Sequence, residues 1–108
     1  MNKEIRKEYY DNGQLESECE YQDDKRHGVS KWYHDNGQLK WDGEYLNDKR
    51  HGVCKWYYDN GQLELEDEYQ DGNQHGVSKW YYGNGQLMWE REYLNDELIK
   101  NTKYYESK

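Results

Sequence analysis

Apolar and polar residues alternate with a period of two through most of the chain, and short runs of turn-forming residues break the alternation at regular intervals. Period two sends successive side chains to opposite faces of a strand, so each alternating run predicts a half-buried β-strand. The breaks repeat as well. Tyr9-Tyr10-Asp11-Asn12-Gly13-Gln14-Leu15 returns with at most one change from Tyr33, Tyr57 and Tyr81, a spacing of 24 residues. A second string, His-Gly-Val-(Ser or Cys)-Lys-Trp-Tyr, starts at His27, His51 and His75. Asn followed by Gly readily supplies the positive φ that a type I′ turn needs at both central residues. Asn12-Gly13, Asn36-Gly37, Asn60-Gly61 and Asn84-Gly85 therefore predict two-residue hairpin tips. The fold class that follows is all-β: a single-layer antiparallel meander of about nine strands, made of four hairpins and a ninth strand. It forms one repeat domain over 1–108, with units 4–27, 28–51, 52–75 and 76–99 and a capping strand over 100–106.

A register follows from the tips. If Asp35 and Gln38 flank the turn, His34 faces Leu39, Tyr33 faces Lys40, Trp32 faces Trp41, Lys31 faces Asp42 and Gly28 faces Tyr45. The connections Gln22 to His27, Leu46 to His51 and Gln70 to His75, read as four-residue loops, set Tyr21 opposite Gly28 and Glu18 opposite Lys31. One row then alternates in sign across the whole sheet: Lys7, Glu18, Lys31, Asp42, Lys55, Glu66, Lys79, Glu90, Lys103. Opposite charges facing each other across a ladder contribute about 0.2–1 kcal/mol per pair, and a one-residue slip loses them all. Two turn lengths chosen separately yield one unbroken ladder, which is the strongest argument in the sequence for a meander.

The same register sorts the remaining residues into two faces. With the ladder lie the row Tyr9, Glu16, Tyr33, Lys40, Tyr57, Glu64, Tyr81, Met88, Tyr105 and a row in which Ile5, Val29, Val53 and Val77 alternate with Glu20, Glu44, Glu68 and Glu92. The opposite face carries Trp32, Trp41, Trp56, Leu65, Trp80, Trp89 and Tyr104 in one stripe, with Leu15, Leu39, Leu63 and Leu87 beside it. There Gly28, Gly52 and Gly76 stand opposite Tyr45, Tyr69 and Tyr93. One face is charged and the other aromatic. The first unit has Glu4 and Glu8 where later units have Gly and Trp, and the last strand is rich in Lys. Charged outer strands of this kind discourage end-to-end pairing.

Composition alone leans the other way, since only 32% of the chain is apolar and 35% is charged, the signature of disorder. Thirteen Tyr and five Trp reverse that reading, because each ring brings large contact area and a polar edge suited to a thin, half-wet structure. The net charge of −8 argues against nucleic acid and anionic membrane as direct partners, both of which need a basic footprint, and favours a basic protein. No run approaches the roughly 18 apolar residues of a membrane span, and Met1-Asn2-Lys3-Glu4 begins no signal segment, so a cytoplasmic location is expected. Two cysteines without a secretory signature predict free thiols.

The unit His-Gly-Val-Ser-Lys-Trp-Tyr-x-Asp-Asn-Gly-Gln-Leu followed by x-Tyr-x-Asn-Asp resembles the bacterial variant of the MORN (membrane occupation and recognition nexus) repeat, found in YwqK-type antitoxins of toxin–antitoxin systems. The resemblance covers nearly the full chain. It implies an elongated single-layer antiparallel sheet and a non-enzymatic binding role.

Catalytic and metal chemistry find little footing. Equivalent histidines, His27, His51 and His75, lie two strands apart, about 9–10 Å, too far to share an ion that needs nitrogens at about 2.0–2.1 Å. Cys19 and Cys54 fall in one row but about 14 Å apart, beyond the roughly 7 Å limit for a disulfide, and Ser30 and Ser78 occupy the same row, so the position selects for small size. A repeating sheet face gives no pair of carboxylates the unlike surroundings that acid–base catalysis requires. No cofactor and no catalytic residue is expected. What remains is a binding protein. Its candidate residues are Glu20, Glu44, Glu64, Glu66 and Glu68 on the acidic face, for capture of a basic toxin, or Trp32, Trp41, Trp56, Trp80 and Trp89 on the aromatic face. The aromatic stripe serves either as the face of a structural or adhesive scaffold, docking a partner or a second copy of the chain, or only to pack the sheet on itself.

Overall fold

Every alternating run forms a strand, and the computed structural model, which describes residues 3–103, arranges the strands in sequence order in one antiparallel sheet. They are β1 (Lys3–Tyr9), β2 (Leu15–Gln22), β3 (Lys25–Tyr33), β4 (Leu39–Leu46), β5 (Lys49–Tyr57), β6 (Leu63–Gln70), β7 (Asn73–Gln74), β8 (Gly76–Tyr81), β9 (Leu87–Leu94) and β10 (Glu97–Lys103). β7 and β8 are one strand position split at His75, whose amide donates to the Glu68 carbonyl, so the ten strands fill nine positions. No helix occurs among the described residues. The molecule measures 46 × 34 × 14 Å. The thin dimension is that of one sheet with its side chains, and the Cα radius of gyration of 15.6 Å exceeds the roughly 13 Å of a compact chain this long.

The two turn types are exchanged relative to the sequence reading. At the Asn-Gly tips only the glycine has positive φ (Gly13 +87°, Gly37 +89°, Gly61 +90°, Gly85 +93°). The Gly37 amide donates to the His34 carbonyl at 3.0 Å and the His34 amide to the Gln38 carbonyl at 2.7 Å, a three-residue type I turn closed by a left-handed glycine. Asn36 stays in the ordinary region because its Oδ1 accepts the Gln38 amide at 2.8 Å, a local bond that favours the type I form. The two-residue type I′ turns lie in the connections instead: Asp23-Asp24, Asn47-Asp48, Asp71-Gly72 and Asn95-Asp96 all have positive φ at both residues.

Each turn error is absorbed by a bulge, so the centre of the register stands. Trp32 pairs with Trp41 as expected, but Tyr33 pairs with Leu39, leaving Lys40 as an extra residue, and Tyr57 pairs with Leu63, leaving Glu64 extra. On the connection side Tyr21 pairs with Arg26 rather than Gly28, and the chain bulges at Gly28 (φ +110°) before Cys19 meets Ser30. The charged ladder holds through Lys7–Glu18–Lys31–Asp42–Lys55–Glu66–Lys79–Glu90. Its last rung is Thr102, not Lys103, because a bulge between Leu98 and Lys100 shifts β10 by one. The closing strand accordingly runs from Glu97 rather than Lys100; Tyr104, Tyr105 and Glu106 lie outside the described residues.

Candidate binding faces

The aromatic face is where the sheet has its interior. A central row of small or short side chains, Ser17, Cys19, Ser30, Gly43, Cys54, Asp67 and Ser78, is buried, and Cys54 and Ser30 are fully buried. Larger rings from the rows on either side fold over it. Trp41 is 5% exposed and touches Tyr45 and Trp56 with ring centres 5.9 and 6.0 Å apart, and Trp80 meets Trp89 edge-on at 6.4 Å. A single layer thus makes a one-sided core from its own rings. Of the tryptophans proposed as contacts, Trp41 is therefore buried and Trp56, Trp80 and Trp89 are half-covered, while Trp32 is 37% exposed. Burial pushes the Cys54 thiol up to about 11, and both cysteines are free.

All four arginines of the chain sit among these rings, a feature that sequence reasoning missed. Arg6 lies 4.0 Å over Tyr21, Arg26 4.9 Å over Tyr45, Arg91 4.1 Å over Trp89, and Arg50 lies 5.4–5.6 Å from the ring centres of Trp41, Trp56 and Tyr69. The aromatic face is also cationic. Reading the connections as four-residue loops put Arg26 and Arg50 outside the sheet; the Asp-Asp and Asn-Asp dipeptides before them were the signal for shorter turns. A buried carboxylate balances part of this charge. Asp67, 4% exposed, accepts from the Ser78 hydroxyl, from Gln74 Nε2 at 3.3 Å and from the Tyr69 hydroxyl at 3.4 Å.

The other face is open and acidic. Two shallow troughs of about 320 and 350 Å³ run together, sharing Val53 and Glu66. Val29 at one side and Glu44 line the first; Glu68, Val77, Lys79 and Glu90 line the second. Val29 and Val53 are 41% and 46% exposed among these carboxylates. The predicted set divides here. Glu44, Glu66 and Glu68 come together, and Glu66 lies 3.8 Å from Lys55. Glu20 and Glu68 have a structural task as well, because their Oε1 atoms accept the amides of Val29 and Val77 at 2.7 and 3.1 Å, clamping the bulges at Gly28 and Gly76. A Cβ on either glycine would strike that carboxylate, at 2.6 and 2.8 Å. Glu64 occupies a bulge instead of pairing in its predicted row. Among the described residues no three His, Cys, Asp or Glu side chains gather as a metal site.

Successive units are stitched beyond the strands. The Tyr10 and Tyr58 hydroxyls donate at 2.6 Å to the carbonyls of Tyr33 and Tyr81, one unit on, and the His34 ring does the same to Tyr57 at 3.2 Å. At the opposite edge the Arg26 amide donates to Asp48 Oδ1 at 2.8 Å, and Gln74 to Asp96 at 2.7 Å.

Among solved structures, the chain is similar in fold to part of S. aureus TarM, solved as a point mutant in complex with fondaparinux, alpha-GlcNAc-glycerol and UDP. The two share 13% identity with a TM-score of 0.54 over 90% of this chain, which spans 19% of that one. No curated protein matches the sequence. The family model described as the MORN repeat variant matches four times, at residues 5–23, 26–47, 50–71 and 74–95. With four matches that cover most of the sequence and fall on the four structural repeats, the chain belongs to the MORN repeat variant family.

Proposed function

We propose that the protein is a non-catalytic, cytoplasmic binding module whose acidic face captures a basic protein, and that this partner is a toxin which the module neutralises as an antitoxin or immunity-like protein. The observation that carries the reading is the division of charge between the two faces. Every arginine is drawn into the rings of one side, while Glu44, Glu66, Glu68 and Glu90 surround exposed Val53 and half-buried Val77 on the other. Carboxylates around an apolar strip suit a basic amphipathic surface: the charges speed and orient encounter, and the valines offer area to bury. The likeness of the repeat unit to YwqK-type antitoxins supports a toxin as the partner class.

The test is binding to the product of the neighbouring gene at low and high salt. Glu44→Lys with Glu92→Lys reverses charge at two exposed positions and leaves the Glu20 and Glu68 clamps intact. The association rate is expected to fall at least about tenfold at low salt and much less at high salt. Unchanged binding at both salts, with loss on Trp56→Ala and Trp80→Ala in a protein that keeps its near-ultraviolet circular dichroism, would instead assign capture to the aromatic face of a scaffold.

A further inference from the structure

Four repeats allow each position to be compared with its own copies, and among the positions that vary, two bring cations together at one place. Arg26 and Arg50 hold a position that is Gln74 and Leu98 in later units, and Lys40 holds the bulge that is Glu16, Glu64 and Met88 elsewhere. Only between β3, β4 and β5 do the three cations meet. They line a groove of about 290 Å³ on the aromatic face, whose walls are Trp32, Trp41, Tyr45 and Trp56. The chain has 23 acidic residues against 15 basic ones, yet among the described residues none of these three cations forms an ion pair with a carboxylate. Arg50 reaches Asp67 only through the Tyr69 hydroxyl, to which it donates at 3.3 Å. A second polar group in the wall is unsatisfied: Trp41, 5% exposed, has its Nε1–H buried without an acceptor. Trp32, at 37% exposure, leaves a ring open beside them.

We propose that this groove binds a small anion built on a ring, a phosphorylated sugar or a nucleotide, the phosphate taken by Arg26, Lys40 and Arg50 and the ring stacked on Trp32. Guanidinium forks match phosphate oxygens in pairs, and indole faces accept sugar or base faces. The volume lies at the lower end of small-molecule sites, enough for one ring and its phosphate. The site is independent of the acidic face, and either can fail without the other.

Isothermal titration calorimetry of the intact protein with AMP, glucose 6-phosphate, inorganic phosphate, adenosine and glucose tests it. One of the two ring phosphates is expected to bind at least about tenfold more tightly than inorganic phosphate and than its own neutral ring, and which one binds identifies the ring. Lys40 is exposed, so Lys40→Glu is expected to weaken that binding at least about tenfold with an unchanged melting temperature. Lys49→Glu, an exposed lysine outside the groove, is expected to leave it alone. Equal binding of inorganic phosphate or of the neutral rings, no saturable heat with any of them, or indifference to Lys40→Glu would overturn the assignment.

Discussion

Gly43 shows how little slack a one-sided core has. A methyl group there would sit 2.7 Å from Cys54 Sγ and 2.9 Å from the Trp41 ring, in a strand where the backbone itself would accept alanine. Gly43→Ala is expected to cost about 1–3 kcal/mol in urea unfolding, and adding Cys54→Ala to remove the sulfur is expected to restore much of it. Cys54 also links stability to pH. Its folded pKa of about 11 stands above the ordinary thiol value of 9.0, so the unfolded chain loses the proton first. The stability this group contributes is present below pH 9 and is lost as pH rises through about 11. The melting temperature of the parent is therefore expected to fall more steeply than that of Cys54→Ala between those limits. The ladder, by contrast, is wet: Lys55 is flanked by Asp42 and Glu66 yet its side chain is 41% exposed, and Lys55→Ala is expected to cost about 1 kcal/mol or less.

At the scale of elements, the type I′ turns make a sharper prediction because, within one turn, one residue carries a stitch and its neighbour does not. Asp48 has φ of +69° and accepts the Arg26 amide, whereas Asn47, at φ +52°, makes no such bond among the described residues. Asp48→Gly relieves a left-handed residue but leaves that amide without its partner, and is expected to cost about 1 kcal/mol; Asn47→Gly is expected to fall within about 0.5 kcal/mol of the parent. The turns also explain what could be read from the sequence. The 24-residue period, the strands and the central rungs were legible because face alternation and charge pairing each fix the middle of a hairpin. The ends were not. Asn-Gly suits both a type I′ tip and a type I turn closed by glycine, and the Asn36 side chain decides between them through a bond that only the folded loop presents. The two loop-length errors were then hidden by bulges at Lys40 and at Gly28. That concealment is why Arg26 and Arg50, and with them the cationic groove, were placed off the sheet, while the acidic face, which depends only on the central rungs, was found.

For the whole molecule, burial peaks in the middle and fades to both ends. β1 is exposed along its whole length, whereas β4 and β5 contain Trp41, Gly43, Tyr45 and Cys54. Native-state hydrogen exchange is expected to show the strongest protection in β3–β6, with amides of β1 and β10 opening first and at much lower free energy. Uniform protection across the sheet would instead mean one cooperative unit. The order of strands has a kinetic side too. Each strand position pairs only with its neighbours in sequence, and among the described residues no rung joins residues further apart along the chain than Lys3 and Gln22. Contact order is therefore low for an all-β protein, and each new strand closes only a short loop onto an edge already formed. The chain is expected to fold by zippering outward from whichever central hairpin forms first, at rates closer to those of small helical bundles than of β-sandwiches, and lengthening the array by further repeats is expected to leave that first step unchanged.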